Sequence, residues 1–499
     1  MIAPAIPQLC ARTFDVTGHP LLPTSLLGAL PAADALAWVR TGVGFVGGGV
    51  TARLSARGPQ RFAALDRQWR AVVALAQVDD AVGLPGTGLI AAGSFAFADS
   101  SECESFLLVP RFVLGCRDER WWFTHIFLAD DAPPAAAITA ASGAPAGGGA
   151  GSVGPGRAGS EGPGRAGSEG PGRAGAFTPG GAASPEGGAG ELDALLAAFL
   201  ETGAAPARQP GRVTTSPGAH PRSRWDGVVR QAIAQMETGR AQKVVLARDV
   251  YVHTEHALDP RVPLTALGRD YPGCWTFQVG SWLGATPELL VRLDRGLVAA
   301  RVLAGTIRRT GDDEADLLRA GNLARSSKDL AEHEFAVDSV AHALGDFCTT
   351  LNVPEQPFVL HLPNVMHLAT DVTGVLPAGT GVTSLALAGA LHPSAAVGGT
   401  PKLAAQQIIA ELEGMDRANY AGPVGWMDAT GDGEWGIALR CGVIEPQPGD
   451  AAGRAGSTVR LFAGGGILPQ SVPAAEVAET SAKLQPMLGA LGATDALDV

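Results

Sequence analysis

Apolar residues recur along the chain with two different spacings, and these predict a mixture of helices and strands. Spacing of three and four residues, typical of helices, occurs in RFAALDRQWRAVVALAQ, ELDALLAAFLETG, SRWDGVVRQAIAQMETGR, DLLRAGNLARSSKDLAEHEFAVDSVAHALGDF and PKLAAQQIIAELEGM. Short β-type runs occur in SFLLVPRFVLGC, RWWFTHIFLAD, KVVLARDVYV, CWTFQVGSWLGAT and VRLFAGGGIL. The alternation predicts a mixed α/β fold in which helices cover one face of large sheets.

A segment rich in glycine, alanine and proline interrupts this pattern between residues 132 and 190. Inside it the unit GPGRAGSE begins at Gly154 and again at Gly162, and GPGRAGAF follows at Gly170. So short a repeat cannot bury enough apolar surface to offset its ordering entropy, which predicts a disordered linker and not a solenoid. The linker separates an N-terminal part, 1–131, from a C-terminal part, 191–499.

Composition excludes several classes of function. The formal net charge of −12 over 499 residues argues against nucleic acid or an anionic membrane as the main partner. No stretch approaches the roughly 18 unbroken apolar residues of a membrane-spanning helix, and the N-terminus lacks the pattern of a secretory signal. The six cysteines show no metal-binding or disulfide spacing. We therefore expect a cytoplasmic protein.

Acidic residues on two predicted helices form one candidate site. Asp329 and Glu332 stand three apart in SSKDLAEHEFAV, and Glu476, Glu479 and Lys483 repeat at three and four in PAAEVAETSAKL. Magnesium needs only one or two protein carboxylates, so one glutamate from each helix would suffice. The spacing alone favours two solvated faces over a metal site.

Three further features carry possible chemistry. Lys243 stands where a helix gives way to an apolar strand and could act as a base if it is partly buried. Glu288 could act as a general acid in an apolar setting, or be a plain surface carboxylate. The glycine-rich turns at 396–402 and 462–471 could cradle an anion, although such turns are more often purely structural.

Taken in order, these segments resemble the chorismate-utilising enzymes, the family of isochorismate, anthranilate, aminodeoxychorismate and salicylate synthases. The resemblance is carried by KVVLARD, GATPELL, VLAGT, SSKDLAEHEFAV, LPNVMHLAT, LHPSAAVGGTPK, NYAGPVGW, GIALRCGVI and FAGGGILPQSVPAAEVAETSAKL, over about 240 residues between 243 and 484. It implies an α+β fold, a single antiparallel two-sheet α/β sandwich with helices outside. Both parts of the chain would contribute strands, and the glycine-rich segment would be an insertion.

Within this family the chain resembles the isochorismate synthases, through Lys243 and the block LHPSAAVGG. The resemblance implies that water adds to C2 of chorismate while the C4 hydroxyl departs. Lys243 would be the base and Glu288 the general acid. Magnesium would be held by Glu332 and Glu479, with Glu476 reaching it through water.

The resemblance also implies a set of substrate contacts. The enolpyruvyl carboxylate would meet Arg440, Tyr420 and the backbone near Gly465, while Lys483 would lie near the metal-bound carboxylate. Thr306 and His367 would line the ring pocket, although His367 could be a core residue. Ala396 lies where salicylate synthases show a threonine-bearing variant. Members of this subgroup are commonly monomeric, so we expect a monomer.

Three alternatives stay open at this stage. Salicylate synthase would eliminate pyruvate from isochorismate in the same site. The amine-adding component that works with a glutaminase partner is disfavoured by Lys243. A catalytically dead homologue that serves as a binding or regulatory subunit is disfavoured because every acid, base and metal residue is present. The sequence does not decide between a menaquinone and a siderophore pathway, although its Gly/Ala/Arg-rich composition, typical of a high-GC bacterial genome, mildly favours menaquinone.

Overall fold

The computed structural model of the protein describes residues 6–131, 185–446 and 456–493. Most of the predicted linker, 132–184, lies outside the described residues. Its last six positions, 185–190, belong to the first turns of a helix, so the described C-terminal part begins earlier than the predicted boundary. No helix in the described ranges is long and apolar enough to cross a membrane.

Nine α-helices occur within these ranges. They are α1 Arg61–Leu75, α2 Pro185–Ala204, α3 Arg222–Glu237, α4 Arg261–Asp270, α5 Asp313–Leu323, α6 Ser327–Gly345, α7 Ser384–Leu391, α8 Lys402–Leu412 and α9 Pro473–Ala490. The long helical pattern predicted from 316 to 347 is therefore two helices. The break falls at Ser326, whose hydroxyl caps α6 by accepting a hydrogen bond from the Asp329 amide.

The described strands number twenty-one. They are β1 Leu9–Asp15, β2 Leu36–Arg40, β3 Val43–Ala56, β4 Gln77–Asp80, β5 Ile90–Ser94, β6 Ser105–Arg117, β7 Arg120–Leu128, β8 Val213–Pro217, β9 Lys243–Thr254, β10 Trp275–Val279, β11 Trp282–Thr286, β12 Leu289–Asp294, β13 Leu297–Arg308, β14 Thr350–Asn352, β15 Phe358–His361, β16 Val365–Val375, β17 Gly399–Thr400, β18 Pro423–Asp428, β19 Gly433–Ile437, β20 Cys441–Ile444 and β21 Thr458–Ile467.

Two series of strands diverge from the paired strands β3 and β6. One series runs from β6 through β5, β18, β19, β12, β13 and β16. The other runs from β3 through β2, β10, β11, β20, β21 and β9. All of these pairings are antiparallel, and each series contains strands from before and after the predicted linker. The predicted single antiparallel sandwich is confirmed.

A shared carboxylate ties the two series together. Trp38 on β2 and Trp275 on β10 both donate from the indole Nε1 to Glu434 Oε2 on β19, at 2.6 and 3.1 Å. Both indole rings are buried, so this acceptor satisfies two donors that water cannot reach. The two series therefore face each other, with the main apolar core between them.

Helices pack on the strands near the ends of the two series and carry the predicted acidic residues. Helix α6, which carries Glu332, packs on β13 and β16, and α9, which carries Glu476 and Glu479, packs on β21. Strand β9 is buried on both faces over its first eight residues, which explains its continuous apolar run and places its first residue, Lys243, in the interior.

Candidate active site

A cavity lies between β9, β13, β16, β21 and α6. Nine of the twelve predicted site residues line it, namely Glu288, Thr306, Glu332, His367, Ala396, Tyr420, Arg440, Gly465 and Lys483. The other three, Lys243, Glu476 and Glu479, do not line the cavity but contact or adjoin residues that do. The structure thus brings together residues spread over more than 240 positions of the sequence.

Lys243 is fully buried beside the carboxylate of Glu332. Its Nζ lies 3.3 Å from Glu332 Oε1 and has no hydrogen-bond partner of good geometry in the part of the chain that the structure describes. Gly466, on the neighbouring strand β21, makes this approach possible. A Cβ at that position would lie 2.2 Å from Glu332 Oε1 and 3.1 Å from Lys243 Cε. Here a glycine is required for the close approach of side chains.

Glu288 occupies the turn between β11 and β12 and is almost completely buried. Its backbone is fixed, because its N–H donates to Thr286 Oγ1 and its carbonyl accepts from the Ile437 amide, at 3.3 and 3.1 Å. Burial raises the pKa of Glu288 to about 8, against the opposing effect of the Leu303 amide and of Lys243. The carboxyl is therefore protonated at neutral pH and is able to donate a proton.

Each of the three predicted metal ligands is paired with a lysine. Besides the Lys243–Glu332 pair, Lys483 Nζ lies 2.6 Å from Glu479 Oε1, and Lys328 Nζ lies 3.3 Å from Glu476 Oε1. Lys483 also donates to the carbonyl of Gly464 at 2.9 Å. Lys328 and Lys483 balance part of the negative charge gathered by α6 and α9.

The carboxylates fit a magnesium ion in number and type. A Cβ on Gly465 would lie 3.3 Å from Glu476 Oε2 and 3.7 Å from Glu479 Oε1. The two carboxylates therefore lie beside the same glycine and close to each other. Glu476 Oε2 is buried without a hydrogen-bond partner among the described residues. Burial, followed by the charge of Glu479, raises the pKa of Glu476. The described residues hold no cluster of three metal-ligating side chains, but magnesium uses one or two carboxylates.

Arg440 and His367 form a hydrogen-bonded pair in the cavity wall. Arg440 Nη2 donates to His367 Nε2 at 3.2 Å, and His367 Nδ1 lies 3.0 Å from Thr306 Oγ1. Burial, reinforced by the Arg440 charge, lowers the pKa of His367 well below its ordinary value. The ring is thus neutral, and since Nε2 accepts, the proton sits on Nδ1.

Tyr420 forms part of an aromatic wall. Its ring stacks on Phe462 with 5.0 Å between centroids and 10° between planes. Burial raises the pKa of its hydroxyl, which keeps the group protonated as a hydrogen-bond donor. Tyr420 therefore contributes a rigid apolar ring and one hydrogen-bond donor to the cavity wall.

Two charged residues of the site were not singled out from the sequence. Lys328 precedes Asp329 in the block SSKDLAEHEFAV, and its pairing with Glu476 depends on a contact between α6 and α9. Arg417 lines the cavity and lies two residues before the block NYAGPVGW. The partner of Lys328 is distant in sequence, so the motif that contains Lys328 does not reveal the pair. Arg417 stands four residues after its partner Glu413, and this spacing was the signal that could have marked it.

A family model described as chorismate binding enzyme matches residues 190–492, which is more than half of the chain. The chain belongs to the chorismate-binding enzyme family. This confirms the family predicted from the sequence blocks. The match covers α2 to α9, and so includes every residue placed around the cavity above.

Curated relatives of this chorismate-binding enzyme are isochorismate synthases. It is 37% identical to isochorismate synthase DhbC of Bacillus subtilis over 275 residues, which cover 53% of this chain and 66% of the relative. It is 31% identical to the salicylate biosynthesis isochorismate synthase of Pseudomonas aeruginosa over 507 residues, which cover 99% of this chain and 92% of that one. The predicted conversion of chorismate to isochorismate is supported by these relatives.

A solved structure shows the same fold. The menaquinone-specific isochorismate synthase MenF of Escherichia coli matches with a TM-score of 0.68 at 21% identity, covering 98% of this chain and 95% of that one. At this identity the match establishes the architecture alone. It includes the strands before residue 131, which belong to the same sandwich as the cavity.

Proposed function

We propose that this enzyme is a magnesium-dependent isochorismate synthase in which Lys243 and Glu288 carry the proton transfers. The observation that carries the proposal is the position of Glu288 in the cavity wall, where burial raises the pKa of its carboxyl to about 8. A carboxylic acid that stays neutral to about pH 8 is suited to protonate a poor leaving group such as hydroxide.

The reaction needs one base and one acid. Lys243 accepts a proton from water while the water oxygen bonds to C2 of the chorismate ring. Both ring double bonds shift, so that the new double bond at C4 forms as the C4–O bond breaks, and Glu288 donates its proton to the departing hydroxyl, which leaves as water. One water enters and one leaves, so substrate and product are isomers.

The two carboxylates of the substrate need separate partners. Arg440 and the Tyr420 hydroxyl are the donors for the enolpyruvyl carboxylate, and both are buried, which strengthens their hydrogen bonds. Glu332 and Glu479 would hold magnesium, with Glu476 acting through water, and the ion when bound supplies positive charge to the ring carboxylate. Lys483 lies beside Glu479 on the same side of the cavity. Thr306 and His367 shape the ring pocket.

Water, not ammonia, is the nucleophile in this proposal, and the enzyme acts as a cytoplasmic monomer. Purified protein given chorismate and Mg²⁺ should form isochorismate without added ammonia, as measured by chromatography. Salicylate with pyruvate as the sole products would instead identify a salicylate synthase, and turnover only with ammonia would identify an amine-adding enzyme. Size-exclusion chromatography with light scattering tests the monomer.

A further inference from the structure

Among the described residues, strand β9, which begins with the proposed base Lys243, has no strand neighbour along part of one edge. Its other edge pairs with β21 from Val244 to His253. On the open edge β17 pairs only with the first two residues, and β8 pairs only from Val250 onward. The backbone groups of residues 245–249 on this edge therefore need other partners.

A buried ion pair supplies two of these partners. The Ala247 amide donates to Glu413 Oε1 at 2.7 Å, and Arg417 Nη2 donates to the Val245 carbonyl at 2.6 Å. Residues 245 and 247 present their backbone groups to the same edge, as alternate residues of a strand do. Glu413 and Arg417 thus replace a missing segment of strand.

Arg417 also reaches a second wall of the cavity. Arg417 Nη1 donates to the carbonyl of Val397 at 3.0 Å, and Val397 follows the predicted pocket residue Ala396. The guanidinium also lies 4.1 Å from the Phe97 ring centroid. Both partners are only 2% exposed, and Arg417 Nε donates to Glu413 Oε2 at 2.8 Å.

We propose that Glu413 and Arg417 are positioning residues that hold the Lys243 strand and the Ala396 loop in their reactive arrangement. The inference rests on the proposed function, because it assigns the pair a role in the reaction of Lys243. A buried ion pair is a poor source of net stability compared with apolar residues. Its bonds to two cavity walls instead fix where Lys243 lies relative to the substrate.

The test compares Arg417→Lys, Arg417→Ala and Glu413→Gln with the wild-type enzyme. The matched control is Glu411→Gln, two positions away at the end of α8, where the carboxylate pairs at the surface with Arg240. We expect the pair variants to lose about 100-fold in kcat with KM nearly unchanged, because the groups that bind the substrate are intact. The control should keep wild-type kcat. Guanidinium ion added to Arg417→Ala should restore part of the lost kcat, and should not affect the control.

Hydrogen exchange gives a readout that does not depend on turnover. The Ala247 amide should exchange faster in Glu413→Gln than in the control. If the wild-type enzyme forms no isochorismate, the proposed function fails, while the exchange rates still report on the pair. The conservative variants Arg417→Lys and Glu413→Gln carry the test if Arg417→Ala does not fold.

Two results would overturn the inference. One is a folded Arg417→Lys or Glu413→Gln enzyme with wild-type kcat and wild-type exchange at Ala247. The other is a set of pair variants whose melting temperatures fall while the kcat of the folded enzyme, measured well below the melting transition, stays at the wild-type value. The second result would assign the pair a purely structural role.

Discussion

Lys243 Nζ lies 3.3 Å from Glu332 Oε1, at a distance that depends on the absence of a side chain at Gly466. The strand that carries Lys243 and the helix that carries Glu332 meet over this glycine. Since Lys243 is the proposed base and Glu332 a proposed metal ligand, one small residue controls the geometry of both.

We expect Gly466→Ala to reduce kcat by about 100-fold, because the new methyl group would displace Glu332 and with it Lys243. Magnesium affinity should fall in the same variant. Gly489→Ala is the control, since a Cβ at that position on α9 meets nothing within 4 Å. Steady-state kinetics at varied Mg²⁺ measures both effects. Equal losses in the two variants would contradict the role given to Gly466.

The raised pKa of Glu288 predicts the alkaline limb of the activity profile. The proton that Glu288 donates is present below about pH 8 and is lost as the pH rises through that value. We therefore expect kcat to fall above about pH 8, and Glu288→Gln to lose nearly all turnover at every pH. An alkaline limb that survives in a residually active Glu288→Gln enzyme would assign the limb to another group.

The raised pKa of Glu288 also predicts how the free energy of unfolding depends on pH. Between its ordinary pKa of 4.5 and its folded value of about 8, Glu288 is ionised in the unfolded chain and protonated in the folded one. The unfolded state then binds fewer protons, so the free energy of unfolding falls as the pH rises across this window. Glu288→Gln should remove this pH dependence and should have a higher melting temperature than the wild type at pH 8. Thermal melts of both proteins at pH 5 and pH 8 measure the difference.

Periodicity and the sequence blocks predict most of the fold and most of the cavity wall. The helices α6 and α9 lie where the sequence predicts helices. The burial of Lys243, which the sequence left open, follows from the covering of both faces of β9. What the sequence could not supply is pairing between distant residues. Lys328 reaches Glu476 across 148 positions, and Glu434 accepts from two tryptophans on other strands. Such contacts arise from the packing of the two layers and leave no local periodic signal.

The Arg440–His367 pair predicts a substrate-binding defect. His367→Phe keeps the ring volume but leaves Arg440 Nη2 without its acceptor, so the guanidinium should lose its fixed orientation. We expect KM for chorismate to rise by about 10-fold or more, with a smaller change in kcat. His367→Gln, which offers an amide acceptor, should recover part of the loss. A large fall in kcat at unchanged KM would instead point to a role in the chemical step.

The lysine partners of the three glutamates predict how metal affinity can be changed in both directions. Removing a ligand in Glu479→Gln should weaken Mg²⁺ binding by at least about 10-fold. Lys328→Met should strengthen it, because the ammonium paired with Glu476 at 3.3 Å competes with a cation for the same carboxylate. Glu334→Gln, an exposed position on the same helix as Glu332, should change nothing. Calorimetric titration of each chelator-treated protein with Mg²⁺ measures these affinities without turnover. A Lys328→Met protein that binds Mg²⁺ more weakly than the wild type would show that the lysine organises the site and does not compete with the ion.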